Sequence, residues 1–486
     1  MLLNFDMETR RINEIIQAGA GTRMADISFL EKEIDAFLNS KDRLHMLQGA
    51  LYYDYEQEIL KKKRLVIGEG GDLEEDKQLP NYKLTDNKYS EMVDQKVNYL
   101  LSNPPTFSSE DTEYVDKLKE IFNRKFLRLL KNVGKDSYNA GKGWIYVNYN
   151  ELGELKFKRF NPWEILPFWK DDDHTELESF ARIYDIEGYE GQIKKTFTKV
   201  EYYDTEGIHY FDLKSGKLIP EYKLNYLEAV DENGNMTPYN WKKVPLVAFK
   251  ANGYESSLLK KCKCLQDALN EILSSFMDGM IENASGNTII VIKNYAGENL
   301  GTFRKNLAQY KAVKVTSNDR GDGGIDKLEI EVNAENYKII ISELRKAIVS
   351  NCKGFDEDEL KASGSPNEMT IKSVYSKIDL DANEIESEYQ ASFEELMWFI
   401  DSHIAGFKGP VDHKPVSIVF NRDMLVNEAE VIANCRDSDG VISRETIIAK
   451  HPWVNDVDLE ISRLKEDRES ETPYHNEFNQ PGAGDA

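Results

Sequence analysis

No glycine or proline interrupts the 37 residues from Asn367 to His403. Within them Ile371, Val374, Ile378, Ala382, Ile385, Tyr389, Phe393, Leu396 and Ile400 recur at three- and four-residue intervals, a stripe about 100° wide on one face of an α-helix. At 1.5 Å per residue this predicts a single rod of about 55 Å, nearly twice the ~30 Å of a small domain. Any core must therefore be assembled along a rod, with several other segments laid against its apolar stripe. Its other face is strongly negative: between Glu368 and Asp401 it carries nine Asp or Glu against two Lys.

The whole chain has 486 residues, which at about 100–200 residues per domain allows roughly two to four domains. With 30% charged and 11% aromatic residues it has a folded, soluble composition. Apolar runs such as Leu396 to Ile400 fall far short of the ~20 residues of a spanning helix, so no membrane segment is expected. Asp6 and Glu8 stand where a signal peptide needs an apolar stretch, which reads as a chain made and kept in a cytoplasm. Four cysteines (Cys262, Cys264, Cys352 and Cys435) are too few for a disulfide framework and are expected to be structural thiols. Cys262-Lys263-Cys264 resembles half a metal site, but helical positions i and i+2 face apart and no second pair lies nearby.

The first ~130 residues read as helices over Phe29–Leu38, Lys41–Lys63, Tyr89–Leu101 and Glu113–Asn132. Gly70 to Leu84 is charged and contains Pro80, so an exposed loop is expected there. Asn103-Pro104-Pro105 ends the third helix. From Gly143 to Ala251 the pattern changes to short alternating segments rich in Tyr, Phe, Val and Ile, an antiparallel β region. Its hairpins are Trp144–Val147 with Leu155–Lys158, and Val200–Tyr203 with Ile208–Phe211.

Helical periodicity returns over Leu258–Ile281, with apolar residues at 258, 262, 265, 269, 272, 276 and 280. Strand-like Thr288–Ile292, Ala312–Val315 and Leu328–Val332 follow, interrupted by a Gly-rich turn at Asp319–Gly324. A second amphipathic helix, Ala334–Cys352, then predicts an antiparallel helix pair with a small β module at its far end. Gly354 to Pro366 has the Gly, Ser and Pro content of an irregular loop and carries four consecutive acids, Asp356 to Glu359. Beyond the long helix, Asn427–Cys435, Ser443–Ala449 and Val457–Lys465 form a smaller helical unit, and the polar stretch after Glu469 is expected to be disordered.

Catalytic signatures do not stand out. There is no GxxxxGK[ST], GxSxG or HExxH, and Gly321–Gly324 lies between strands without a following helix, which argues against dinucleotide binding. The best metal candidate is Asp171-Asp172-Asp173-His174, whose oxygen ligands suit Mg²⁺; consecutive side chains diverge, and such a run is more often a solvated turn.

Several stretches together resemble the portal proteins of tailed bacteriophages, in the form found in long-tailed phages and prophages of Gram-positive bacteria. They are Asn87–Phe107 (NKYSEMVDQKVNYLLSNPPTF), Gly141–Asp173 with its proline-bracketed aromatic run, Val244–Asn283 leading into a helix, and Ser365–Ile400. The resemblance implies an α+β portal fold with N-terminal helices and a β-rich wing over 1–257, stem helices over 258–283 and 334–353 enclosing a small α/β clip over 284–333, a tunnel loop over 354–366, the long helix and the rest of the wing over 367–426, a helical crown over 427–469 and a disordered tail over 470–486. It implies a ring of twelve subunits at one capsid vertex, a channel for double-stranded DNA in packaging and ejection, and docking of the terminase large subunit and a head-completion adaptor. Major capsid and scaffolding proteins are further partners, and no catalysis, cofactor or metal is implied. The protein is then expected in the virion at the portal vertex, and in the host cytoplasm during assembly.

Carried over by position, the tunnel loop residues are Gly354, Phe355, Asp356, Glu357, Asp358, Glu359, Lys361, Ser363 and Gly364. Asp381, Glu384, Glu388 and Glu395 of the long helix are expected to line the channel. The charge fits this reading: −24 per chain makes about −290 for twelve copies, and a wall of that sign repels phosphates, so DNA slides without being held. The dense acid run also allows the loop to bond a neighbouring subunit, with Lys346 and Lys353 as candidate cations. Two rival readings are another virion structural protein, such as a minor capsid protein or head-tail adaptor, and a metal-dependent hydrolase built on Asp171–His174.

Overall fold

A computed structural model describes residues 27–67, 72–77, 79–150, 152–230, 236–284, 289–293, 324–328, 334–356, 368–406, 411, 413–422, 428–454 and 457–471. Helices α1 (Ile27–Leu38) and α2 (Lys41–Tyr53) come first, the second capped by the Ser40 hydroxyl, which accepts the Arg43 N–H. The periodicity predicts a helix running on to Lys63, but α2 stops at Tyr53 and Tyr55 takes a left-handed φ of 66°. Tertiary bonding overrides the local pattern: the bend buries Gln57, whose side chain joins Tyr52 O to Asn270. A short antiparallel ribbon, β1 (Leu65–Ile67) with β2 (Leu73–Glu75), follows.

Helix α3 (Lys88–Leu101) and strand β3 (Thr106–Ser108) lead to α4 (Thr112–Ile121) and α5 (Arg124–Ala140). One helix was expected over Glu113–Asn132. It is broken at Asn123, whose side chain accepts the Lys125 and Phe126 N–H groups as an N-cap. The break turns Phe122 inward, where its ring stacks on Phe107 and meets Phe126 and Phe393.

The β region is as the alternation predicts. β4 (Lys142–Tyr149) and β5 (Leu155–Phe160) form the first hairpin; β6 (Ile165–Trp169), β7 (Leu177–Glu190), β8 (Ile193–Asp204), β9 (Gly207–Lys214) and β10 (Lys217–Leu224) form a five-stranded antiparallel meander. The small pair β11 (Leu227–Val230) and β12 (Met236–Tyr239) precedes β13 (Leu246–Lys250), which returns to pair with β4. Successive side chains leave a strand on opposite faces, so the meander has two cores. Phe168, Ile183, Val200, Tyr202 and Phe211 pack beneath Leu30, Ile34 and Phe37 of α1. Ile165, Trp169, Phe180 and Tyr203 pack against Trp144, Tyr146 and Phe160 of the smaller sheet.

Helices α6 (Leu259–Ala284) and α7 (Ala334–Asn351) run antiparallel: Cys262 near the start of α6 lies beside Cys352 just past α7, and the rings of Phe276 and Tyr337 meet tilted at 42° with centroids 4.8 Å apart. Between them β14 (Ile289–Lys293) pairs with β15 (Gly324–Leu328). The second of these begins four residues earlier than the alternation suggests, and Ala312–Val315 lies outside the described residues. The long helix α8 (Glu368–Ile404) has 37 residues, as its periodicity predicts, and eight of the nine stripe residues are buried, Val374 being half-buried. Tyr389 and Phe393 meet Phe249 of β13, and Ile418 of β16 (Ser417–Val419) covers the same core. Helices α9 (Glu428–Asp437), α10 (Arg444–Lys450) and α11 (Val457–Glu471) complete the described chain, with Gly440 left-handed (φ 84°) in the turn between the first two. Among the described residues no helix is long and apolar enough to cross a membrane.

One feature of α6 runs against the sequence reading. Besides its apolar positions it buries Gln266, Asn270, Ser274 and Asp278, each no more than 1% exposed. The extended segment from Tyr82 to Asp86 and the first turn of α3 lie along this polar stripe: Tyr82 N–H bonds Asp278 at 2.7 Å, Leu84 N–H bonds Ser274 at 3.0 Å, Asp86 N–H bonds Asn270 at 3.0 Å and, in α3, Tyr89 N–H bonds Gln266 at 3.1 Å. Two residues of extended chain advance about 6.7 Å and four residues of helix about 6.0 Å, so the repeats match closely enough for side chains to serve as a sheet edge. The part of the expected exposed loop that reaches Leu84 is therefore bound to the helix.

Candidate functional site

Of the expected loop residues, Gly354, Phe355 and Asp356 are described, while Glu357, Asp358, Glu359, Lys361, Ser363 and Gly364 lie outside the described residues. Helix α7 ends in a Schellman motif: Gly354 N–H bonds Val349 O at 2.9 Å and Lys353 N–H bonds Ser350 O at 3.1 Å, with Lys353 left-handed at φ 53°. Phe355 then lies against α3 and α8. Its N–H donates to Gln95 Oε1 at 2.9 Å, its carbonyl accepts from Gln95 Nε2 at 3.0 Å, and its ring stacks on Tyr375 with centroids 4.5 Å apart.

The acids of α8 are largely engaged within the chain. Asp381 is 7% exposed and pairs with Lys96 at 2.5 Å and Lys353 at 3.3 Å, so it is an interior charge and not a wall residue. Burial pushes the Lys96 ammonium down, against the upward pull of Asp381. Glu384 is exposed and shares Lys353 at 3.5 Å. Asp379 and Glu386 both bind Arg422. Glu388 and Glu395 face a cavity of about 700 Å³ lined also by Trp169, Lys243, Lys250 and Trp398, and burial there raises the Glu395 carboxyl to about 7. Lys353, a candidate for contact with a neighbour, is thus occupied in its own chain, and Lys346 lies 3.9 Å from Glu343 on the exposed side of α7.

The Asp171 cluster is a turn between β6 and β7. Asp171 accepts the N–H groups of Thr175 and Glu176 at 2.7 and 3.0 Å, while Asp172 and Asp173 are exposed. His174 pairs with Glu255 at 2.8 Å. No group of three or more His, Cys, Asp or Glu that could hold a metal exists among the described residues. Glu255, which sequence reasoning passed over, also receives Lys142 and Lys250. Burial would raise its carboxyl, but Lys142 and His174 outweigh this and hold it well below the usual range. Gln95 carried no signal in the sequence. Lys96 did, since it sits among Val93, Val97 and Leu100 on the buried side of α3.

The family model for phage portal proteins of the SPP1 Gp6-like type matches residues 30–474, nearly the whole chain. The chain belongs to the phage portal protein family. Among curated relatives, the portal protein of Clostridium phage phiCD119 is 27% identical over 430 residues, covering 86% of this chain and 91% of the relative. The portal protein of Bacillus phage SPP1 is 26% identical over 473 residues, covering 94% and 90%. Membership makes this portal-family chain a structural component of the phage virion, a part of head assembly in a non-enzymatic family, and supersedes the hydrolase reading of Asp171–His174.

Proposed function

We propose that the chain forms a ring of twelve subunits at one capsid vertex, the conduit for double-stranded DNA and the docking site for the terminase large subunit and a head-completion adaptor. In this reading residues 1–257 are the N-terminal helices and wing, α6 and α7 the stem, 284–333 the clip, 354–366 the tunnel loop, α8 the rod behind it and 427–469 the crown. Major capsid and scaffolding proteins meet the outside of the ring, which works in the virion and is assembled in the host cytoplasm.

The observation that carries the proposal is the order along the chain: an antiparallel helix pair enclosing a β insert, then a chain pinned at Lys353–Phe355, then a 37-residue helix. Apolar side chains on the pair, Met280, Ile339 and Ile340, are 45–54% exposed, and such surface finds cover when a neighbour's different face closes a cyclic interface. Glu384 is the acid of α8 suited to a repelling wall; Glu388 contributes beside it, and Glu395, close to neutral, contributes less charge. Gly354 to Gly364 supply the loop that narrows the bore.

Native mass spectrometry with negative-stain microscopy of one preparation tests this. Rings of about a dozen subunits with a central hole are expected. Monomers or dimers that persist at high concentration would overturn it.

A further inference from the structure

The end of α7 places its residues against local preference. A Schellman motif ordinarily puts glycine at the left-handed position, yet here that position is Lys353 and the glycine comes one residue later. A left-handed L-residue costs roughly 1–2 kcal/mol, and such a cost persists where the surroundings over-determine the geometry. The surroundings do so on every side. The Lys353 ammonium bridges Asp381 and Glu384 of α8, and its carbonyl faces Lys96 Nζ at 3.5 Å. Gly354 is buried against α3 so closely that a Cβ would fall 2.5 Å from Met92 Sδ and 2.8 Å from Gln95 Oε1. Gln95 then takes both backbone groups of Phe355, as a neighbouring strand would.

Helix α3 thus holds Lys353, Gly354 and Phe355 through adjacent residues, 260 or so positions away in sequence. An ordinary surface connection needs no such fixing, because water satisfies its backbone groups. We propose that Gln95 and Lys96 are positioning residues for the channel loop, setting the place and direction in which the chain leaves α7 at Asp356. This rests on the reading of 354–366 as the loop that meets DNA.

Gln95→Met removes both hydrogen bonds at similar length, and Gln95→Glu keeps an acceptor for the Phe355 N–H but loses the donor to its carbonyl. In rings first confirmed intact by mass, amide hydrogen exchange of the peptide covering 352–356 is expected to quicken about tenfold or more in Gln95→Met and less in Gln95→Glu. Heads assembled with those rings are expected to fill with DNA in the order wild type, Gln95→Glu, Gln95→Met, with thermal midpoints of the rings close together. Unchanged exchange in Gln95→Met would overturn the clamp. Faster exchange with wild-type filling would overturn its positioning role. A wild-type chain that makes no ring would instead overturn the portal-channel reading, and the exchange comparison would still decide the clamp.

Discussion

Replacing Glu255 by Gln removes the anion at the centre of a buried cluster without changing its shape. The carboxylate is 13% exposed and meets Lys142, itself 8% exposed, with His174 at 2.8 Å and Lys250 at 3.3 Å. These groups come from β4, the β6–β7 turn and β13, while Glu255 lies in the segment that leads into α6, so the cluster joins the β layers to the helix pair. Lys250 keeps the carbonyls of Asp173 and His174 as acceptors. Among the described residues no other carboxylate pairs with Lys142, and a buried charge deprived of its partner costs about 3–5 kcal/mol. For a cooperative unit of about 200 residues that lowers the thermal midpoint by roughly 6–20 °C near neutral pH.

The pH dependence has a definite sign. The folded-state carboxyl titrates below its ordinary value of 4.5, so the unfolded chain takes up the proton first as pH falls. The stabilisation is complete above about pH 5.5 and declines below 4.5, by up to about 1.4 kcal/mol per pH unit. The gap between wild type and Glu255→Gln should therefore be constant from about pH 8 to pH 5.5 and narrow toward pH 3.5. Thermal denaturation followed by circular dichroism at each pH measures it. Equal midpoints near neutral pH, or a gap that widens in acid, would refute the reasoning.

Lys96→Met should destabilise the chain by about 2–4 kcal/mol in urea unfolding, whereas Lys96→Met with Asp381→Leu should recover most of that loss, since an apolar pair of like volume replaces a buried ion pair at little net cost. Asn270→Leu leaves the Asp86 N–H and the Gln57 side chain without their partner, a loss of about 1–3 kcal/mol for each orphaned group that the same titration reads. Gly49→Ala drives a methyl to 1.9 Å from Asn139 O where α2 crosses α5, and should cost about 1–3 kcal/mol or more by forcing the helices apart. Under native conditions a thiol reagent should label Cys264 and leave Cys262 and Cys352 unmodified until denaturant is added, because the first is exposed and the other two are 0% exposed.

What the sequence by itself determined is what depends on neighbours in the chain. The length of α8, the antiparallel pair with its β insert, and the hairpins of the β region follow from periods of 3.6 and 2, which are local properties. The break at Asn123 was also written locally, as a capping residue, and was masked by an apolar pattern that continues across it. Tertiary structure decided which charges are free and which are internal. The acids of α8 look like one solvated face in the sequence, yet Lys96, Lys353 and Arg422 draw Asp381, Asp379 and Glu386 into ion pairs, each acid having a partner on another segment more than 30 residues away. It also decided that Gln266, Asn270, Ser274 and Asp278 face inward, because a polar helix side is buried only when an extended chain arrives to share its hydrogen bonds. Gln95 belongs to the same class: its amide has meaning only beside Phe355, and no pattern within α3 announces a partner that folding alone brings into reach.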